Sequence, residues 1–251
     1  MKLFQNWQNI PDEIRDGIYA IGNFDGMHQA HQALLIKTLA LAKEQGKPSG
    51  IITFEPITKV YFADKDSYNL QLMMAHNKAE TAKAMGFDHY FQLTFDSYLA
   101  HHSGKKFIED VLVNGIRIHH LVSGYDFVFG HKRSGNAGLL TQYADQFDYT
   151  QIEKQSIGDK KIGSSVVRDA IEAGDIQTAK ALMGHDWVVD LQVKKGQLFF
   201  RCYMRPQIGE YDVKVIIDNK IISDQLVVKK KNAVLKSTKL KNSSGLVRVV
   251  F

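Results

Sequence analysis

The sequence predicts an α/β protein in two parts: a parallel-sheet domain over residues 1–186, then a small β-rich, barrel-like module over 187–251. Three observations predict this. Ile18, Tyr19, Ala20 and Ile21 form a short apolar run, which Gly22, Asn23, Asp25 and Gly26 punctuate as a turn before the period becomes helical. A second apolar run, 50–54, follows that helix at the distance of a βαβ unit, which calls for a parallel sheet. The last part breaks into short β-rich runs over 188–193, 198–203, 211–217, 221–228 and 246–251, separated by Gly, Asp-Asn or Lys. That spacing suits a small antiparallel barrel or sheet.

Residues 1–17 read as an irregular lead-in, with Pro11-Asp12 as turn chemistry. Beyond the first turn, Ala30, Ala33, Leu34, Ile36, Leu39, Leu41 and Ala42 give a broad apolar helix ending near Gly46. His28 and His31 fall in its first turn, three apart and on one face. They lie beside the unpaired N–H groups and the positive end of the macrodipole. Two such imidazoles could equally be a solvated surface pair. The glycines either side of Asn23-Phe24-Asp25 favour a phosphate cradle, because they let backbone approach a ligand closely. A metal reading is weaker, since neither Cys nor clustered Asp/Glu supplies a third ligand nearby.

Glu55-Pro56 ends the second strand. A helix over 77–85 closes at Gly86, and a strand over 90–93, a helix over 107–113 and a strand over 119–123 follow. The adjacent pairs His101-His102 and His119-His120 diverge within a regular element and are read as non-functional. Gly124-Tyr125-Asp126-Phe127-Val128-Phe129-Gly130 comes next, at the carboxyl end of a strand, where ligands gather in open α/β sheets. Its alternating aromatics fit a plain edge strand and turn equally well. A helix over 136–147 and a strand over 149–154 lead to Lys161-Ile162-Gly163-Ser164-Ser165-Val166-Val167-Arg168 and a helix over 169–173. Ser164 or Ser165 can cap this helix. With Arg168 one turn in, the same start is also an anion site. A last helix runs from Gly174-Asp175-Ile176 to Met183-Gly184.

A chain of 251 residues, 44% hydrophobic with four prolines, is long enough to bury a real core. Nothing in it approaches the length of a membrane span, and residues 1–11 lack the apolar centre of a signal peptide. Cys202 is the only cysteine, so no internal disulfide forms, which suits a reducing cytoplasm. The net charge of +5 is uneven: 187–251 holds 13 Lys/Arg against 5 Asp/Glu, and the rest holds 19 against 22. A basic module can attract nucleic acid or an anionic ligand. Lys229-Lys230-Lys231 is short and has no aromatic interleaving, so a solvated surface is preferred and no nucleic-acid site is assigned.

Gly22-Asn23-Phe24-Asp25-Gly26-x-His28-x-x-His31 resembles the signature of the bacterial FAD synthetase family, within the HxGH nucleotidyltransferases, with Ala30 where that signature has Gly. Gly124-x-Asp126-Phe127-x-Phe129-Gly130, followed by Lys132, Arg133 and Gly135, resembles the family's second motif. Gly163-Ser164-Ser165-x-x-Arg168 resembles the superfamily's Ser-Ser-Thr-x-x-Arg. Where the family reads Phe-x-Pro-His-Pro, this chain has Phe54-Glu55-Pro56-Ile57-Thr58.

The resemblance implies a Rossmann-like domain that transfers AMP from ATP to FMN, giving FAD and pyrophosphate. It implies His28, His31 and Arg168 as the catalytic set, and Gly22, Asn23, Asp25, Gly124, Asp126, Ser164 and Ser165 around ATP. It implies Phe54, Phe127, Phe129 and Arg133 around FMN, with Mg2+ as a charge neutraliser of unnamed ligands. Bifunctional relatives carry a riboflavin kinase domain at the C-terminal position, marked by Gly-x-Pro-Thr-Ala-Asn. This chain has no such run, so the module reads as truncated and kinase activity is expected to be absent. The implied partners are ATP and FMN, with no nucleic acid and no membrane, for a cytoplasmic monomer. Ile57-Thr58 keeps open another phosphorylated acceptor, such as nicotinamide mononucleotide or a pantetheine phosphate. A flavin- or nucleotide-binding regulator is the alternative from another class.

Overall fold

The apolar runs that read as buried strands form a parallel sheet in the computed structural model, which describes residues 1–63, 70–157, 160–238, 240 and 245–251. The sheet belongs to the first of two units, made of Met1–Phe24, Ala30–Phe62 and Ala75–Gln155. Its strands are β1 (Lys2–Phe4), β2 (Ile18–Ile21), β3 (Ser49–Glu55), β4 (His89–Thr94), β5 (His120–Gly124) and β6 (Asp148–Ile152). They lie in the order β1-β4-β3-β2-β5-β6, every pair parallel. All of β2 and all but the last residue of β3 are buried, as strands covered on both faces must be.

The chain steps outward from β2 to β3 and β4, then returns to β5 on the other side of β2. The order therefore reverses between β2 and β5, and the carboxyl ends of that pair open the crevice where such sheets take ligands. Residues 22–24 leave β2 and residues 124–130 leave β5. At the strands' other ends Tyr19 faces Gly50, where an added Cβ would come within 2.2 Å of the tyrosine ring. Its hydroxyl donates to the Ile14 carbonyl at 2.7 Å and meets His89 Nδ1 at 3.1 Å.

The helices of this unit are α1 (Gln29–Gln45, whose first residue belongs to the second unit), α2 (Thr58–Tyr61), α3 (Ala75–Ala84), α4 (Ser97–Ala100), α5 (Gly104–Phe107) and α6 (Ala137–Leu140). A π-helical stretch, Ile108–Ile116, continues α5. Trp7, Phe54, Phe91, Phe107, Leu112 and Phe129 belong to the unit's core.

Three local expectations are corrected here. The lead-in contains β1, which pairs with β4 through Leu3↔Tyr90; three half-exposed residues carry no apolar run to announce a strand. α1 starts at Gln29, so His28 lies one residue before the helix. The helix expected over 136–147 shrinks to α6 and a 3-10 turn, Thr141–Tyr143. Gly138 weakens its first turn, and the Thr141 hydroxyl takes the Gly138 carbonyl.

The second unit comprises Asp25–Gln29, Ala63–Met74 and Ser156–Phe251. A small pair, β7 (Ser156–Ile157) and β8 (Lys160–Lys161), precedes α7 (Ser164–Glu172) and α8 (Ile176–Met183). α7 begins five residues earlier than expected. Gly163 takes the capping position, and no side chain caps the helix. Then β9 (Val188–Lys194), β10 (Gln197–Phe199), β11 (Gly209–Ile217), β12 (Lys220–Val228), β13 (Ala233–Leu235) and β14 (Gly245–Val250) close into an antiparallel barrel.

Val189, Leu191 and Val193 of β9 and Val247 and Val249 of β14 alternate into its core. Lys195-Gly196 and Asp218-Asn219 join hairpins with positive φ at both residues (50° and 72°, 49° and 61°), the turn whose twist matches paired strands. β10 ends at Phe199, four residues before the expected Tyr203, because the chain turns at Arg201, whose φ is 49°. β13 was not foreseen. Trp187 is buried, its indole N–H donating to the Leu72 carbonyl at 3.0 Å and its ring 4.7 Å from that of Phe251. Among the described residues no helix is long and apolar enough to cross a membrane.

Candidate active site

Asp25 is the junction of the second unit. Its Oδ1 accepts from the backbone N–H of Leu72 at 2.9 Å and of Met73 at 3.1 Å. Its Oδ2 meets Arg168 Nη2 at 2.5 Å, and its backbone carbonyl accepts from the Ser164 hydroxyl at 2.9 Å. Arg168 Nε donates to the Leu70 carbonyl at 2.8 Å. Asp25 is 1% and Arg168 7% exposed, so the pair is a desolvated, hydrogen-bonded ion pair, the arrangement that makes burying two charges tolerable. Ser164, the first residue of α7, spends its hydroxyl on the first motif, while Gly163 holds the capping position. His28, in the same unit, is buried at 4% exposure directly before α1, and Ser165 is exposed on α7. His185 Nε2 meets the Gly26 carbonyl at 3.1 Å.

In the first unit the corner after β2 is fixed through Asn23. Its side chain accepts from Thr58 N–H at 3.3 Å and donates to Thr58 Oγ1 at 3.0 Å. The family's second His-Pro position is thus filled by a threonine that ties Asn23 to the start of α2. Phe24 lies over Gly22, and its ring meets the half-buried His31 edge-on at 5.3 Å.

The flavin candidates converge in that unit as well. Phe54 lies 6.3 Å from Phe107, Phe107 5.5 Å from Phe129, and Phe129 5.3 Å from Phe127, the last pair stacked. Phe129 and Gly135 exchange both backbone hydrogen bonds, closing the loop that carries Arg133. The Phe129 ring lies on Gly135, where a Cβ would come within 2.5 Å of it. Glycine is needed there for packing rather than for a ligand. Gly124 ends β5, Asp126 is exposed just beyond it, and Arg133 is exposed.

Sequence reasoning missed Phe107, the Leu70 and Leu72 carbonyls, and Lys78, a fully buried lysine whose Nζ is 3.4 Å from the Asn23 carbonyl. Backbone acceptors carry no residue signature. Lys78 did carry one, standing at i, i+4 from Met74 and Ala82 on the apolar face of α3.

Among the described residues no group of three His, Cys, Asp or Glu could hold a metal, and both Asp25 oxygens are already used. A cavity of about 720 Å³ in the second unit contains none of the expected residues. Of its lining charges, Lys180 pairs with Asp186 at 2.6 Å, and Lys236 reaches Glu210 outside the lining at 2.9 Å.

A model of the FAD synthetase family matches residues 10–166. The chain belongs to the FAD synthetase family. It is therefore a nucleotidyltransferase enzyme. Bifunctional riboflavin kinase/FMN adenylyltransferases are similar along most of it. That of Listeria monocytogenes is 28% identical over 81% of this chain and 69% of its own length. That of Pseudomonas fluorescens is 32% identical over 80% and 65%, and that of Escherichia coli K12 31% over 78% and 63%. The chain thus spans about two thirds of the length of these curated relatives. A crystal structure of a protein described as a macrolide-efflux protein from Streptococcus pneumoniae superposes with a TM-score of 0.84 over 99% of this chain and 88% of its own. At 21% identity that is a likeness of fold. The C-terminal barrel resembles the riboflavin kinase module.

Proposed function

We propose that this FAD synthetase transfers AMP from ATP to the phosphate of FMN, forming FAD and releasing pyrophosphate. The observation that supports it most is the joining of the first and third motifs at Asp25, by Ser164 from 139 residues away and by Arg168 from 143. An FMN phosphate oxygen attacks the α-phosphorus of ATP, and the bond from that phosphorus to the bridging oxygen breaks. The phosphate is already an anionic nucleophile, so no base is required. The protein's work is alignment and neutralisation of charge.

In this reading His28 and His31 donate to the phosphates beside the start of α1. Arg168, oriented by Asp25 and the Leu70 carbonyl, uses its other N–H groups on the β- and γ-phosphates, with Ser165 beside it. Gly22, Asn23, Gly124 and Asp126 border the nucleotide. Phe54, Phe127, Phe129 and Arg133 border FMN. Magnesium enters as the companion of ATP, held by phosphates and water.

Residues 1–186 would form the transferring domain and 187–251 a module without kinase activity, in a cytoplasmic enzyme that works as a monomer on small molecules.

Incubation with ATP, magnesium and FMN should yield FAD and pyrophosphate in equal amounts. Nicotinamide mononucleotide or phosphopantetheine in place of FMN should give no product, and riboflavin with ATP no FMN. His28→Ala combined with His31→Ala should lower turnover by about 10²–10³. An undiminished rate would remove both from the mechanism.

A further inference from the structure

The chemistry above makes no use of Lys78, yet its side chain on α3 is entirely buried. Burying an ammonium is costly, and an apolar side chain of similar length would fill the space without that cost. Its Nζ donates to the Asn23 carbonyl at 3.4 Å and lies 3.6 Å from Glu55 Oε2. The Thr53 hydroxyl donates to the same carbonyl at 3.2 Å. Donors from β3 and α3 therefore converge on one backbone oxygen at the carboxyl edge of the sheet.

That oxygen belongs to the peptide entering Phe24, whose φ is 48°. A bulky residue rarely adopts this left-handed conformation, and it persists only where the surroundings hold it. In a trans peptide the carbonyl and the following N–H point opposite ways, so fixing the Asn23 oxygen fixes the whole plane. The Phe24 ring then closes over Gly22 and supports His31 at 5.3 Å.

We propose that Lys78 is a positioning residue of the triphosphate site: with Thr53 it pins the Asn23 carbonyl and so holds the turn and the His31 ring in the arrangement that takes ATP. The inference rests on reading that turn as the ATP site. It distinguishes this role from that of a plain ion-pair partner for Glu55, which would act on stability alone.

The test compares Lys78→Met, Thr53→Val and Glu55→Gln in the full chain. ATP binding is measured by calorimetry, KM for ATP and for FMN by turnover, and folding by thermal melting. Lys78→Met should weaken ATP binding roughly tenfold or more, and Thr53→Val about threefold, with KM for FMN unchanged. Lys78→Arg should recover part of the loss. Glu55→Gln should lower the melting temperature and leave ATP binding intact.

The proposal is overturned if Glu55→Gln weakens ATP as much as Lys78→Met while Thr53→Val does nothing, or if the ATP and FMN constants weaken equally. Should Lys78→Met not fold, the contrast between Thr53→Val and Glu55→Gln decides. A wild-type chain that binds no ATP removes the parent reading and this one together. Wild-type binding with an unaltered Lys78→Met removes this one alone.

Discussion

Replacing Asp25 by asparagine would set an amide against the Arg168 guanidinium while keeping an acceptor for the Leu72 and Met73 N–H groups. Breaking a buried ion pair from one side leaves a desolvated charge behind, at a cost of about 3–5 kcal/mol. Urea unfolding of Asp25→Asn should show a loss of that order, and a loss under about 1 kcal/mol would mean the pair is solvated in practice. The same pair shows where the sequence was legible. Motif order brought Asp25, Ser164 and Arg168 onto one list, because each is a residue type with a chemical signature. That they hold one another was not readable, since the organising partners are main-chain groups: the accepting carbonyls of Asp25 and Leu70 and the donating N–H groups of Leu72 and Met73.

At the scale of elements, the sheet and the barrel should respond to acid in different windows. Burial pushes the imidazoles of His89 in β4 and His120 in β5 below the ordinary value of 6.5, against the opposing pull of Asp88 and Asp148. Each stays neutral when folded and gains its proton more readily when unfolded. The sheet should therefore lose stability as pH falls below about 6.5. His120→Gln should flatten the change in urea midpoint between about pH 7.5 and 5.5; an unaltered slope would exclude His120 as a source.

Asp224 in β12 behaves otherwise. Burial raises its carboxyl, but hydrogen bonds from Thr238, Gln225 and Ser237 outweigh this and bring it down to about 2. The barrel contribution is present above the ordinary 3.8 and lost as pH falls from there toward 2. Amide exchange should show β12 protected at about pH 5, when the sheet has already weakened. The long apolar strands and the Asp218-Asn219 hairpin were legible because periodicity and turn chemistry are local. β1 and β13 were not: strands of three residues gain their place from a partner strand elsewhere in the chain.

The molecule as a whole cannot be halved by one cut. The second unit takes Asp25–Gln29 and Ala63–Met74 from within the stretch that otherwise builds the first. A fragment of residues 156–251 would lack Asp25 and Leu70 for Arg168, Gly26 for His185 and Leu72 for Trp187. It should melt well below the corresponding transition of the intact chain, and equal stability would show that these bonds contribute little. The reading of 1–186 and 187–251 as consecutive modules follows motif boundaries, and motif boundaries do not reveal such borrowing.

The chain holds two tryptophans, and each unit buries one: Trp7 lies in the core of the first and Trp187 in the second. The protein thus comes with a pair of native optical labels. In Trp7→Phe the emission belongs to the barrel side alone, and in Trp187→Phe to the sheet side alone. Fluorescence can then follow the melting of either half without any dye.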